Sequence, residues 1–297
     1  HQLGRRAFCE AYGVAGWDST FEHYKRLGDW LMVHGINFMN QHLSFVTVRG
    51  ARKRDHPQSF SDVSPWWPYY KLHGDHLGRV SYMVSRGVAR NRLVLLEPTT
   101  SGFLWARRGG ATPELEKMRH ANGELIQFLA DHQVDFDLAD EYILEWFGKQ
   151  DGRKLAIGRA SYQLVVWPEN MINVRHETLP HLEKYLAAGG EILALAPPAA
   201  FVDGRPSDKV KALQARYSSQ WRSASGLAGL LAEIHNRLDP RLSFDSRLPP
   251  GVGVSERFLE SGDRLLFFAS TGLGPARTRV TVEGAAVERW DTITGQV

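Results

Sequence analysis

Apolar residues recur in two rhythms along the 297-residue chain. Phe21, Tyr24, Leu27, Leu31 and Met32 fall at helical spacing, behind Asp18 or Ser19 as a cap and ahead of Gly35 as a stop. Short strand-like runs flank this helix: Arg6-Ala7-Phe8-Cys9 before it and Ile36-Asn37-Phe38 after it. A polar and aromatic loop follows from about 43 to 67, then a second helical pattern around Tyr69 to Val88, with Tyr70, Leu77, Val80 and Met83. Residues 1–90 therefore read as strand, helix, strand, long loop, helix. Structureless loops of such length are usually functional or disordered.

From residue 91 the rhythm changes to continuous apolar strands separated by helices. Arg92 to Leu96, Val134 to Asp137, Tyr162 to Pro168 and Glu191 to Leu195 are the strands; Leu179, Leu182, Tyr185 and Leu186 mark a helix that Gly189-Gly190 ends. Buried strands alternating with helices predict a parallel, flavodoxin-like sheet over 91–203. No Gly-x-Gly-x-x-Gly loop follows the first strand, which favours a structural domain without a nucleotide. Residues 204–252 read as a helical linker region, with a helix from Lys209 to Leu238. Beyond 253, Arg264 to Phe268, Arg277 to Val282 and Val287 to Trp290 are short strands that suit part of a β-sandwich.

Composition narrows this picture only slightly. The hydrophobic fraction of 43% is that of a globular protein, and the net charge of +3 is spread along the chain. No basic block resembles a nucleic-acid arm, and no apolar run reaches the ~20 residues of a membrane helix. The single cysteine, Cys9, excludes an internal disulfide and reads as a small buried hydrophobe. A reduced compartment suits it. A periplasmic or secreted location is slightly favoured nonetheless.

The candidate chemistry gathers at strand ends. Glu10 closes the first strand, and Asn40, Gln41 and His42 follow the second. The long loop carries Arg49, Lys53, Arg54, Asp55, Trp66 and Trp67. A carboxylate, amides and an imidazole beside paired tryptophans suggest a sugar-binding catalytic face, and barrel enzymes put such groups at the carboxyl ends of strands. Lys53, Arg54 and Asp55 also fit a solvated charge run, and Trp66 and Trp67 fit either a stacking platform or a loop anchor. Glu97 ends the first strand of the second region, and Glu141 follows the Asp135 strand. Cys/His zinc spacing and a Gly-x-Ser-x-Gly elbow are absent.

Several runs occur in an order that resembles the α-L-rhamnosidases of glycoside hydrolase family 106. They are Glu10 to Trp17, Lys25 to Leu31, Gly35 to Ser44, Gly50 to Phe60 with Pro65-Trp66-Trp67, Leu96 to Ser101, and Asp135 to Glu141. The resemblance covers about residues 5–200, and Trp290-Asp291 with Thr294-Gly295 is weakly similar to a following sandwich. It implies the end of a (β/α)8 barrel over 1–90, a flavodoxin-like domain over 91–203 and a partial sandwich over 253–297. It also implies calcium-dependent hydrolysis with inversion and a rhamnose-containing glycan or glycoside as substrate. On it, Glu10 and Glu141 share the acid/base work and Glu97 contacts sugar or calcium, or serves as the base. Asn40, Gln41, His42, Lys53, Asp55, Trp66 and Trp67 would bind sugar. Only two strand–helix units precede residue 90, so the expectation is a piece of a longer enzyme, inactive by itself. A retaining β-galactosidase-type barrel enzyme and a non-catalytic carbohydrate-binding fragment are the alternatives.

Overall fold

The structure, a computed structural model, describes residues 2–54, 58–108, 110–240, 242–272 and 274–297. They divide into two units: residues 5–89 with 243–297, and residues 2–4 with 90–242.

The first unit opens with β1 (Phe8–Ala11), α1 (Phe21–Val33) and β2 (Phe38–Gln41). β1 and β2 pair in parallel, with Phe8 opposite Phe38 and Glu10 opposite Asn40. Both strands run two to three residues past the apolar runs, because the ladder continues through polar residues whose backbones still find partners. Thr20 caps α1, its hydroxyl accepting the His23 N–H at 3.2 Å. Gly35, at φ 105°, reverses the chain after it. The 43–67 loop includes a short 3₁₀ turn, Gly50–Arg54. α2 (Tyr70–Val84) then packs against α1. Tyr12, Tyr24, Met32, Phe60, Leu77 and Val80 are buried between these elements, with Phe21, Trp66 and Tyr70 around them. Each large apolar side chain so buried contributes ~1.5–3 kcal/mol.

The second unit begins with β3 (Leu93–Leu96), α3 (Thr99–Trp105), α4 (Pro113–Asp131), β4 (Phe136–Ala139) and α5 (Glu141–Phe147). An antiparallel meander follows: β5 (Gly148–Asp151), β6 (Lys154–Ile157) and β7 (Ala160–Tyr162). Next come β8 (Leu164–Trp167), β9 (Asn173–Val174), α6 (Thr178–Ala187), β10 (Glu191–Ala194), β11 (Phe201–Val202) and β12 (Arg205–Pro206). α7 (Lys209–Arg216), β13 (Trp221–Ser223) and α8 (Gly226–His235) complete it. The main sheet is parallel and ordered β4-β3-β8-β10-β13. Counted along the chain these are strands 2-1-3-4-5, the order of flavodoxin-type sheets.

The apolar strands are continuous because both faces are covered. Val94, Leu96, Val165, Trp167 and Ile192 face one core with Leu182, Leu186, Val210 and Leu213. Leu93, Leu95, Leu164, Val166 and Leu193 face the other with Leu125, Leu129, Leu230 and Ile234. The region expected as a linker therefore supplies the fifth strand and two covering helices. Trp221 starts that strand and meets Trp167 at 5.0 Å between ring centroids. Three polar-flanked residues were too short a signal for a strand. The meander was also missed, since Gly148, Lys149, Gln150 and Asp151 carry little β propensity.

The tail returns to the first unit with β14 (Ser243–Phe244), β15 (Val252–Phe258), β16 (Arg264–Ser270) and β17 (Val280–Thr281). β15 and β16 form a long antiparallel hairpin, and Phe267 packs on the α1–α2 cluster. Val287 to Trp290 is not a strand. No strand among the described residues pairs with it, and the chain instead turns at Asp291, whose Oδ1 accepts the Ile293 and Thr294 N–H groups at 2.7 and 3.0 Å.

Candidate active site

Parallel pairing of β1 and β2 brings their carboxyl ends together, and the side chains there follow from the register. Glu10 is opposite Asn40, and both are exposed. Ala11 is opposite Gln41, and the His42 N–H extends the ladder by donating to the Ala11 carbonyl at 2.8 Å. The His42 ring then reaches Glu10, Nδ1 to Oε1, at 2.5 Å. Glu10's side chain is half exposed while that of His42 is largely covered.

The backbone beyond both strands is bent in an unusual way. Tyr12, Val14 and Leu43 all have positive φ, at 72°, 59° and 58°. Such conformations cost non-glycine residues of order 1–3 kcal/mol each and gather at functional sites. At Tyr12 the surroundings hold the conformation. The Tyr12 hydroxyl donates to the Tyr24 carbonyl at 3.0 Å, and the Gln58 amide donates to the Tyr12 carbonyl. Burial first, and then neighbouring Tyr70 and Asp29, push the Tyr12 phenol far up, so it stays protonated as a donor.

The loop residues separate into three groups. The Lys53 carbonyl accepts the Trp17 indole N–H at 2.9 Å, while Lys53 and Arg54 are exposed. Trp66 turns into the aromatic cluster, 5.6 Å from Phe60 and 5.8 Å from Phe21, and so anchors the loop. Trp67 remains exposed, stacked on Tyr70 at 5.3 Å with a 14° interplanar angle. Asp55 lies outside the described residues.

Glu97 and Glu141 belong to the other unit. Glu141 is fully buried, and its carboxylate is occupied. Oε1 accepts the Thr100 hydroxyl; Oε2 accepts the Thr178 hydroxyl and the Arg175 N–H, each at 2.7 Å. Burial raises its pKa, the three hydrogen bonds lower it less, and nearby Asp140 adds to the rise. Glu97 lies just past β3, at the point where the strand order reverses between β3 and β8. It is half-buried, and burial followed by the Asp140 charge raises its pKa.

Calcium takes six to eight oxygens. Of the acidic residues expected to serve it, Glu97 and Asp140 offer two carboxylates, and that of Glu141 is already hydrogen-bonded. Among the described residues, the group whose potential ligand atoms converge within 4.8 Å is His176, Glu177 and Asp203. It was not anticipated, since Asp203 is remote in sequence. His176 Nδ1 lies 2.8 Å from Asp203, and the Arg175 guanidinium lies 3.1 Å from Glu177 and 2.7 Å from Glu145. Arg175 already supplies the positive charge that these carboxylates need.

No family model and no curated protein matches the chain. Solved structures do. A rhamnosidase from Novosphingobium sp. PP1Y superposes with a TM-score of 0.57 at 15% identity, covering 88% of this chain and 25% of that one. An exo-carrageenase of family GH42 from Bacteroides ovatus gives 0.58 at 15%, covering 94% and 37%. A β-galactosidase from Bacillus circulans sp. alkalophilus gives 0.56 at 12%, covering 98% and 57%. The chain thus has a mixed α/β fold shared with glycosidases, and spans between a quarter and somewhat over half of their length.

Proposed function

We propose that the chain is the carboxyl-terminal part of the catalytic region of a glycoside hydrolase, an α-L-rhamnosidase of the family 106 kind. In this reading β1, α1, β2 and α2 are the last units of a (β/α)8 barrel, the second unit is the adjoining flavodoxin-like domain, and the tail is part of a sandwich. The observation that carries it is Glu10: an exposed carboxylate at the carboxyl end of a parallel strand, held by His42 beside Asn40 and ringed by three left-handed residues.

Inverting hydrolysis takes one carboxyl to protonate the leaving oxygen and another to activate water. Glu10 is assigned to one of these tasks; Glu141, sealed among its three hydrogen bonds, is not assigned to the other. Asn40, Gln41 and the exposed face of Trp67 would hold the sugar, with Lys53 and Asp55 from the loop. Calcium enters this reading through the resemblance alone; loss of activity in EDTA and its return with Ca²⁺ would support it.

The test uses the polypeptide at its natural length, with p-nitrophenyl α-L-rhamnoside and p-nitrophenyl β-D-galactoside as probes. Turnover of the first, with NMR showing the inverted anomer first, is expected. Glu10→Gln should lower kcat by at least ~100-fold, since an acid–base group contributes ~10²–10⁴-fold. Turnover of the galactoside with retention would favour the β-galactosidase-type reading, which the likeness to a β-galactosidase motivates.

A further inference from the structure

We propose that His42 is a positioning residue, which fixes Glu10 so that Oε2, and not Oε1, exchanges the proton with water or the leaving oxygen. The inference rests on Glu10 being a working carboxyl, as read above.

Three observations carry it. Nδ1 of His42 is 2.5 Å from Glu10 Oε1, so that oxygen is already engaged, whereas Oε2 has no hydrogen-bond partner among the described residues. The ring cannot easily turn away. Its backbone is tied to Ala11, and its Cγ and Cδ2 lie 3.3 Å from where a methyl on Gly13 would stand. The following residue, Leu43, has φ 58° and sends the chain aside at once. In this register the free amide opposite Glu10 belongs to Asn40.

The chemistry is that of a fixed donor. In this role His42 presents an Nδ1–H to Oε1 and keeps that proton throughout. If Glu10 is the base, Oε2 takes a proton from water as the water oxygen bonds to the anomeric carbon and the glycosidic C–O bond breaks. If Glu10 is the acid, Oε2 gives its proton to the departing oxygen. In both cases the rotation of the carboxylate is set before the substrate arrives, so less orientation has to be gained during the reaction.

Nitrogen-15 NMR of the histidine rings reads the first part without any activity. In the wild-type chain at neutral pH, His42 should carry its proton on Nδ1, and Glu10→Ala should shift it to Nε2. A ring protonated only on Nε2, or a signature unchanged in Glu10→Ala, overturns the proposal. Kinetics at natural length read the second part. His42→Ala should lower kcat ~10–100-fold with KM within about twofold, and His42→Asn, whose amide N–H can stand in for Nδ1–H, should restore most of it. A raised KM at full kcat makes His42 a sugar ligand and overturns the positioning role. Full activity in Glu10→Gln instead overturns the assignment of Glu10 itself. A failure of His42 alone leaves Glu10→Gln inactive and His42→Ala at full rate.

Discussion

Glu10 and Glu141 both follow or close a strand, yet their surroundings give them opposite work. Glu10 is exposed with one oxygen engaged; Glu141 is sealed among Thr100, Thr178 and the Arg175 backbone. Glu141 therefore ties α5 to α3 and to the start of α6. Glu141→Gln keeps one acceptor oxygen but replaces the other by an NH2, so the donors Thr100, Thr178 and the Arg175 N–H can no longer all be satisfied, and should destabilise the second unit by ~1–3 kcal/mol at acidic pH. Because burial raises the Glu141 pKa, the stabilising protonated form is fully present below the unfolded value of about 4.5 and is lost as pH rises through the folded one. The gap between wild type and Gln variant should then narrow from pH 4 to 7 in urea titrations. A gap that widens with pH would show that the three hydrogen bonds outweigh burial. His73 runs the other way. It is buried in the aromatic cluster, and burial, then the charges of His76 and Lys25 against that of Asp29, push its pKa down to about 4. Stability from this group is present above about 6.5 and lost as pH falls towards 4, a loss of about 3 kcal/mol at most. His73→Phe should remove most of that loss from acid unfolding of the first unit.

At the scale of elements, the tail hairpin is held by a glycine that nothing can replace. Gly87 has φ 60°, and a Cβ there would lie 2.2 Å from the Phe258 carbonyl oxygen, beside the Val88–Phe258 bridge. Gly87→Ala should cost at least ~1–3 kcal/mol and raise hydrogen exchange at the Val88 and Phe258 amides, which bond each other's carbonyls at 2.9 Å. Unchanged protection at those amides would mean that the hairpin is held elsewhere. The elements legible in sequence were those with strong periodicity or long apolar runs: α1, α2, β3, β8, α6 and β10. β13 was hidden because only Trp221 of its three residues is apolar and buried. The single helix read from Lys209 to Leu238 is two, split where Trp221 enters the sheet. The strand ends of the site were legible as a run of polar residues after apolar ones. The division of Trp66 from Trp67 was not, because neighbouring residues on a turn point apart only once the turn has formed. Nor were the three left-handed residues, since Tyr, Val and Leu give no local sign of positive φ.

For the whole molecule, the two units should unfold with opposite responses to acid. His73 weakens the first below about pH 6.5, while the raised pKa of Glu97 and of Glu141 favours the second under mildly acidic conditions. Calorimetry from pH 7 to 5 should show two transitions whose spacing changes with pH. One transition of constant shape would contradict that.

The path of the chain carries a further consequence. Gln2 is clipped to the second unit, its amide donating to the Leu138 carbonyl and the Tyr162 hydroxyl at 3.0 and 2.9 Å. Residues 5–89 belong to the first unit, 90–242 to the second, and 243–297 to the first again. During synthesis, α1 and α2 therefore leave the ribosome long before β15 and β16, the hairpin they pack against. The central unit can close around its own two cores in the meantime, taking the leading residues with it. A nascent chain stalled after residue 242 and well clear of the exit tunnel should already protect the β3 and β8 amides, while Phe21 and Met32 remain open to protease. Emergence of residues 243–297 would then bring β15 and β16 to the α1–α2 pair.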